Sequence, residues 1–260
     1  MSVEKIDSVK TAARTLDLFE AFARTREPMS LSDLSQQIGS PVSSTHALVK
    51  TLRARGFLYV LEDRRLIYPT KRLLAIAARI SEKDPVVEIA LPIMTRLQER
   101  SDETIIFGKR QNSYVVYLEV IECRNAIRYS ARPGDTKPLR SSAIGKAMIS
   151  LLPEKDLLAL LKRDGQKKVT NNTIVEPEAL LRNLAEGRER EAFVTRGENV
   201  VDVMAVATPV WIDNEPYGLA IAGPIARMLK KEDACVAELI AARDELSRLN
   251  EVTQFASTSI

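Results

Sequence analysis

The chain has 260 residues, 45% of them hydrophobic and 28% charged, with a formal net charge of +3; such a chain buries one large core or two smaller ones. No apolar run approaches the ~18 residues of a membrane span, and residues 1–15 are polar and mixed in charge, without a secretory core, so the expected compartment is the cytoplasm. Cys123 and Cys235 lie far apart with no CxxC spacing, and the single histidine, His46, excludes any two-histidine metal site; neither a metal nor a cofactor is expected.

The charge is unevenly placed. Residues 41–72 carry seven basic side chains (Lys50, Arg53, Arg55, Arg64, Arg65, Lys71, Arg72) against Glu62 and Asp63, a balance of +5 that leaves −2 for the rest. A short basic segment on a mildly acidic body points to a DNA-contacting module joined to something else.

In chain order, residues 8–25 form a first helix with Val9, Ala12, Ala13, Leu16, Phe19 and Ala23 at helical spacing as its expected buried stripe. Pro28 stops it. Ser32 is the expected N-cap of a short second helix, with Asp33 in its first turn and Leu34 and Ile38 inward. Gly39 supplies a turn, and Ser40-Pro41 start a third helix over 41–55, since a proline at the first helical position gives up an amide that had no acceptor. Two helices separated by a glycine turn form a helix-turn-helix. On the third helix, Thr45, Leu48, Val49 and Leu52 share the side that packs inward. The opposite side presents Ser43, His46, Ala47 and Lys50, short polar groups, a methyl and a cation of the kind that reads base edges in the major groove. Residues 57–60 and 66–68 read as a hairpin with Arg64 and Arg65 at its tip, a wing that reaches the flanking minor groove or backbone. His46 alone also fits a solvated or capping side chain, and the two arginines also fit ordinary turn charges.

Beyond residue 70, helices are expected over 71–81 and 85–101. Strands are expected at 104–109, 114–121, 127–130, 203–211 and 217–222, with helices near 142–151, 154–161 and 178–190 between them. Blocks of strands and helices make an α/β sheet domain. Residues 230–249 close the chain as an amphipathic helix whose Val236, Leu239, Ile240, Leu246 and Leu249 pack on the sheet or on a second subunit. Ser141 and Ser142 stand where a loop enters a helix; they either cap it or, with the free amides there, hold a carboxylate.

Enzyme readings fit less well. Gly145-Lys146 is similar to the end of a phosphate-binding loop, but the earlier glycine position is Arg140 and the next residue is Ala147. A hydrolase using Ser141, Ser142 or Cys123 as nucleophile is the alternative function; it needs a base, and the only histidine lies in the expected DNA-reading helix.

The runs LSDL (31–34), GSPVSSTH (39–46) and KTLRARG (50–56) resemble the IclR family of bacterial transcriptional regulators. So do VVYL (115–118), the stretch 138–147 with SAIGK (142–146), ATPV (207–210) and AGP (222–224), in order and over nearly the whole chain. The resemblance implies an α+β architecture: an N-terminal winged helix-turn-helix domain over 1–70, a linker helix over 71–84, and a C-terminal GAF-like α/β effector-binding and oligomerisation domain over 85–260. It implies a homodimer or homotetramer on a double-stranded DNA operator, repressing or activating according to a bound small molecule. DNA contacts fall on Ser32, Ser43, Ser44, His46, Ala47, Lys50, Arg53, Arg64 and Arg65. Effector contacts fall on Ser142, Ala143 and Ile144 through backbone amides, with Met204, Ala220 and Ala222 lining the other wall. Family members often carry a basic residue before the serine pair, an arginine after the histidine, and serines on the late strand. Here those places hold Val42, Ala47, and Ala220 with Ala222, so a more apolar pocket floor favours an organic acid that is larger or aromatic.

Overall fold

The computed structural model describes residues 9–257 except 62, 64, 82 and 164–167, with side chains described as far as 249. The chain divides into two compact units, residues 1–83 and 84–260.

The first unit runs α1 (Lys10–Thr25), α2 (Leu31–Gln37), α3 (Val42–Ala54), β1 (Leu58–Leu61), β2 (Leu66–Pro69) and α4 (Arg72–Ser81). Arg26, at φ 58°, ends α1 in a left-handed cap whose N–H bonds Phe22 O. Gly39, at φ +58°, makes the turn between α2 and α3. β1 and β2 pair antiparallel from Leu58↔Pro69 to Leu61↔Leu66, forming the wing. Leu18, Phe22, Leu34, Val49, Leu52 and Ile67 meet in one core.

Two local expectations change. The cap of α2 is Ser30, not Ser32: Ser30 and Asp33 form a reciprocal capping box. The buried face of α1 is Leu18, Ala21 and Phe22, whereas Val9 and Leu16 are 72% and 64% exposed. α1 is apolar on two sides, and the bulkier Leu18–Phe22 side takes the core.

The second unit contains α5 (Pro85–Ser101), β3 (Thr104–Gln111), β4 (Tyr114–Ile121), β5 (Thr136–Pro138), α6 (Ala143–Ile149), α7 (Glu154–Arg163), α8 (Pro177–Glu189), β6 (Phe193–Arg196), β7 (Val203–Ile212), β8 (Glu215–Pro224), α9 (Ile225–Met228) and α10 (Glu232–Ser257). The sheet has the order β5-β4-β3-β8-β7-β6, antiparallel throughout. Alternate residues serve opposite layers: Ile105, Phe107, Val206, Leu219 and Ile221 join α5 and α10, while Ile106, Ala207, Ala220 and Ala222 join α6, α7 and α8. Val236, Leu239 and Leu246 of α10 therefore cover the chain's own sheet. Cys123 and Cys235 are both buried and free.

Residues 127–130 are not a strand. Tyr129 O accepts from Thr104 Oγ1 at 2.6 Å and Arg128 pairs with Glu122, so this segment is held as a loop; Thr136–Pro138 takes the edge beside β4. β6 and α9 were not expected from the sequence.

Candidate DNA interface and effector cavity

On α3 the hydrophobic period turns Thr45, Val49 and Leu52 into the core and leaves Ser43, Ser44, His46, Ala47, Lys50 and Arg53 exposed. Ser43, His46, Ala47 and Lys50 share one face by their spacing. Among the described residues, no hydrogen bond or ion pair engages the side chains of Ser43, Ser44, His46, Lys50 or Arg53, so their donors face solvent. The wing is braced at its base, where Arg55 and Arg72 stack on the Phe57 ring at 5.9 and 5.3 Å. Arg65 sits exposed in the wing turn at φ 50°; Arg64 lies outside the described residues. Ser32 is exposed but stands on α2, a helix apart from the α3 face.

In the second unit, a cleft with about 420 Å³ of empty space, open solvent included, lies between the start of α6 and the sheet. Two glycines let α6 approach: a Cβ on Gly145 would meet the Leu139 backbone, and one on Gly218 of β8 would meet Ile144. Ala205, Ala220, Ala222 and Ile106 make an apolar floor, and Tyr117 and Tyr129 form an aromatic side. Burial, with Tyr129 next to it, pushes the Tyr117 phenol well above its ordinary value, so it stays protonated.

The polar end is neutral. Ser142 is the N-cap of α6: its Oγ accepts from Gly145 N at 3.2 Å and donates to Pro138 O at 2.7 Å. Its hydroxyl is thus committed, and what the helix start offers is the amides of Ala143 and Ile144, which have no intrahelical acceptor. Ser141 Oγ accepts from Asn199 Nδ2 at 3.1 Å. Among the described residues, no lysine, arginine, histidine or carboxylate lines the cavity.

The structure brings Ser142, Ala143, Ile144, Ala220 and Ala222 together around this space, but not Met204. Met204 is fully buried in the opposite layer, with α5 and α10; on a strand, adjacent residues point to opposite faces, so Val203 and Ala205 line the cavity instead. Sequence reasoning also missed Thr195, on the unexpected β6, Asn199, just beyond it, and the two tyrosines. The alternation of β7 held the signal for Ala205, which is the register partner of Ala222.

A winged helix-turn-helix followed by a six-stranded antiparallel sheet between helical layers defines a DNA-binding transcriptional regulator. The profile described as "Bacterial transcriptional regulator IclR C-terminal" matches residues 78–248, and "IclR helix-turn-helix domain" matches residues 11–62. The chain belongs to the IclR family, whose members are regulators and not enzymes. It is similar to the HTH-type transcriptional repressor AllR of Escherichia coli (strain K12), at 29% identity over 238 residues, covering 89% of this chain and 87% of that one. Its fold is similar to that of Thermotoga maritima IclR, with a TM-score of 0.76, 25% identity, and coverage of 93% and 98% of the two chains. It is also similar to that of an IclR homolog from Microbacterium hydrocarbonoxydans complexed with 4-hydroxybenzoate, with a TM-score of 0.75, 22% identity, and coverage of 92% and 98%. No described helix is long and apolar enough to cross a membrane.

Proposed function

We propose that this regulator binds a palindromic operator in the cytoplasm as a homodimer or homotetramer, and that an organic acid, aromatic in the favoured case, sets its operator affinity. In this proposal residues 1–70 bind DNA, 71–84 link, and 85–260 bind the effector and oligomerise. Ser43, Ser44, His46, Ala47, Lys50 and Arg53 of α3 meet the major groove; Ser32, Arg64 and Arg65 meet the flanking backbone or minor groove. The effector's carboxylate lies against the amides of Ala143 and Ile144, beside Ser142, and its body rests on Ala205, Ala220 and Ala222.

The neutral cavity at the start of α6 carries the proposal. Free amides suit an anion, the lack of a lining cation among the described residues fits a carboxylate better than a phosphate, and the alanine floor offers an apolar seat for the rest of the acid. The acid bound by the Microbacterium homolog, 4-hydroxybenzoate, has this chemistry. Effector binding would favour one arrangement of the paired recognition helices over another, and a coupling of ~1–3 kcal/mol changes operator occupancy about five- to 150-fold. The test is a thermal-shift screen of organic and aromatic acids, since a ligand specific to the folded state raises its stability. It is followed by operator titrations with and without each hit; unchanged operator affinity with every bound acid would refute the regulatory reading.

A further inference from the structure

Lys146 is fully buried on α6, and its Nζ lies 2.6 Å from Glu198 Oε1 and 2.7 Å from Asn183 Oδ1. Glu198 is 5% exposed, and its Oε2 has no hydrogen-bond partner among the described residues. Burial pulls the Lys146 ammonium down and pushes the Glu198 carboxyl up from their ordinary values, and the attraction between the two opposes both shifts. Such a pair is a poor source of stability, because desolvating two ions offsets their attraction and an apolar pair of like volume is often as stable or more so. Its use must lie in what it holds in place.

What it holds is residues 197–202, the connection from β6 to β7. Glu198 reaches to α6, while the next residue, Asn199, lines the cavity and donates to Ser141 Oγ at 3.1 Å. The connection is braced from outside by Thr170 Oγ1, which donates to Gly197 O at 2.6 Å, and by Thr173 Oγ1, which donates to Glu198 O at 2.7 Å. Gly197 stands at φ +70°, with no room for a Cβ beside Val201 O. Two consecutive residues thus grip α6 at two points, Ser141 just before its N-cap and Lys146 one turn beyond it.

We infer that Lys146 and Glu198 are positioning residues for ligand binding: their pair sets Asn199 against the first turn of α6, so that its carboxamide and the amides of Ala143 and Ile144 converge on one ligand carboxylate. The inference rests on the cavity being the effector site. Neither charged side chain lines that cavity, so their effect on a ligand acts through Asn199.

The experiment uses the full-length chain with Lys146→Met/Glu198→Met, and separately with Glu198→Gln, which keeps the side chain's volume. Three quantities are read: unfolding temperature, hydrogen exchange of the amides of residues 197–203, and calorimetric affinity for 4-hydroxybenzoate and for benzoate. The expected result is a split. The double variant unfolds at or above the wild-type temperature, yet residues 197–203 exchange about ten-fold faster and the probe acids bind about ten-fold more weakly. Wild-type exchange over 197–203 in both variants would overturn the proposal, and so would wild-type affinity. A parallel fall of unfolding temperature and affinity in both would make the pair a plain element of the fold, and would overturn it too. If the wild-type chain binds neither acid, the proposed effector chemistry fails, and the exchange comparison still decides whether the pair fixes the connection.

Discussion

Ser30 and Asp33 close the start of α2 on each other: Asp33 N donates to Ser30 Oγ at 3.2 Å, and Ser30 N donates to Asp33 Oδ2 at 3.2 Å. Each satisfies an amide that the helix end leaves without an acceptor. Ser30→Ala should therefore destabilise the first unit by about 1 kcal/mol. Ser32→Ala, which removes an exposed hydroxyl from inside the helix, should leave stability within about 0.5 kcal/mol. Urea unfolding followed by circular dichroism separates the two. Operator affinity of the Ser32 variant then shows whether that hydroxyl meets DNA.

Lys50 and Arg53 carry the cations of the exposed α3 face. If each neutralises one phosphate, Lys50→Ala and Arg53→Ala should each lower the slope of log K against log salt by about one unit. Loss of affinity across all sequences alike marks a phosphate contact, while relaxed preference at one base pair marks a base contact. Fluorescence anisotropy on operator and scrambled duplexes at several salt concentrations makes the measurement. A slope equal to wild type removes the residue from the interface.

Much of this was legible in the sequence, for identifiable reasons. The glycine turn and the period of Thr45, Val49 and Leu52 fix which side of α3 faces out, because only one register buries all three. The first helix misled because it has two apolar sides, and periodicity does not say which one the rest of the unit covers: Leu16 fits the pattern and is 64% exposed. β6 is short, Phe193–Arg196, too brief a run for alternation to stand out, and is held by pairing with the strand that follows it, β7. Residues 127–130 have strand-forming Ile127 and Tyr129, but the edge of β4 is taken by a different segment. Met204 was placed by family position, where strand alternation points to Ala205.

The contrast between Met204 and Ala205 gives a direct test of which face the effector uses. Met204→Ala empties space in the fully buried layer under α10 and should cost about 2–5 kcal/mol, with affinity for a bound acid unchanged in the folded protein. Ala205→Leu should keep the fold and abolish acid binding by filling the cavity. Calorimetric titration of the best acid from the thermal-shift screen decides it; a Met204 variant that stays stable but loses the ligand would place the site on the other face.

Glu232, at the start of α10, accepts from Arg190 Nη1 at 2.5 Å and from Arg196 Nη2 at 2.6 Å. Burial alone would raise its carboxyl, but the hydrogen bonds to the two guanidinium groups outweigh it, and the net shift is downward from the ordinary 4.5. A depressed carboxyl contributes stability that is fully present above its unfolded value and is lost as pH falls through the folded one. Glu232→Gln should therefore lower stability near neutrality and flatten the acid limb below about pH 4.5. Unfolding free energies measured from pH 7 downward check it.

Glu103 offers the strictest test of a buried charge in this fold. It is fully buried at the head of β3, and its carboxylate takes Arg227 Nε at 2.5 Å, Arg227 Nη2 at 2.7 Å and Lys231 Nζ at 2.8 Å. Arg227 also donates to Ile127 O at 3.1 Å, tying α9 to the loop that carries Tyr129 to the cavity. Glu103→Ala leaves two cations facing an emptied space. Because both retain some solvent access, they can rehydrate, and the expected loss is about 3 kcal/mol, the low end for breaking a buried pair. Glu103→Gln keeps one acceptor and the side chain's volume, so it should cost less than the alanine. The loop should loosen in step, with faster hydrogen exchange around residues 127–130 in the alanine variant than in the glutamine. An alanine variant as stable as wild type, with that loop unchanged, would show that packing holds α9 without the ions.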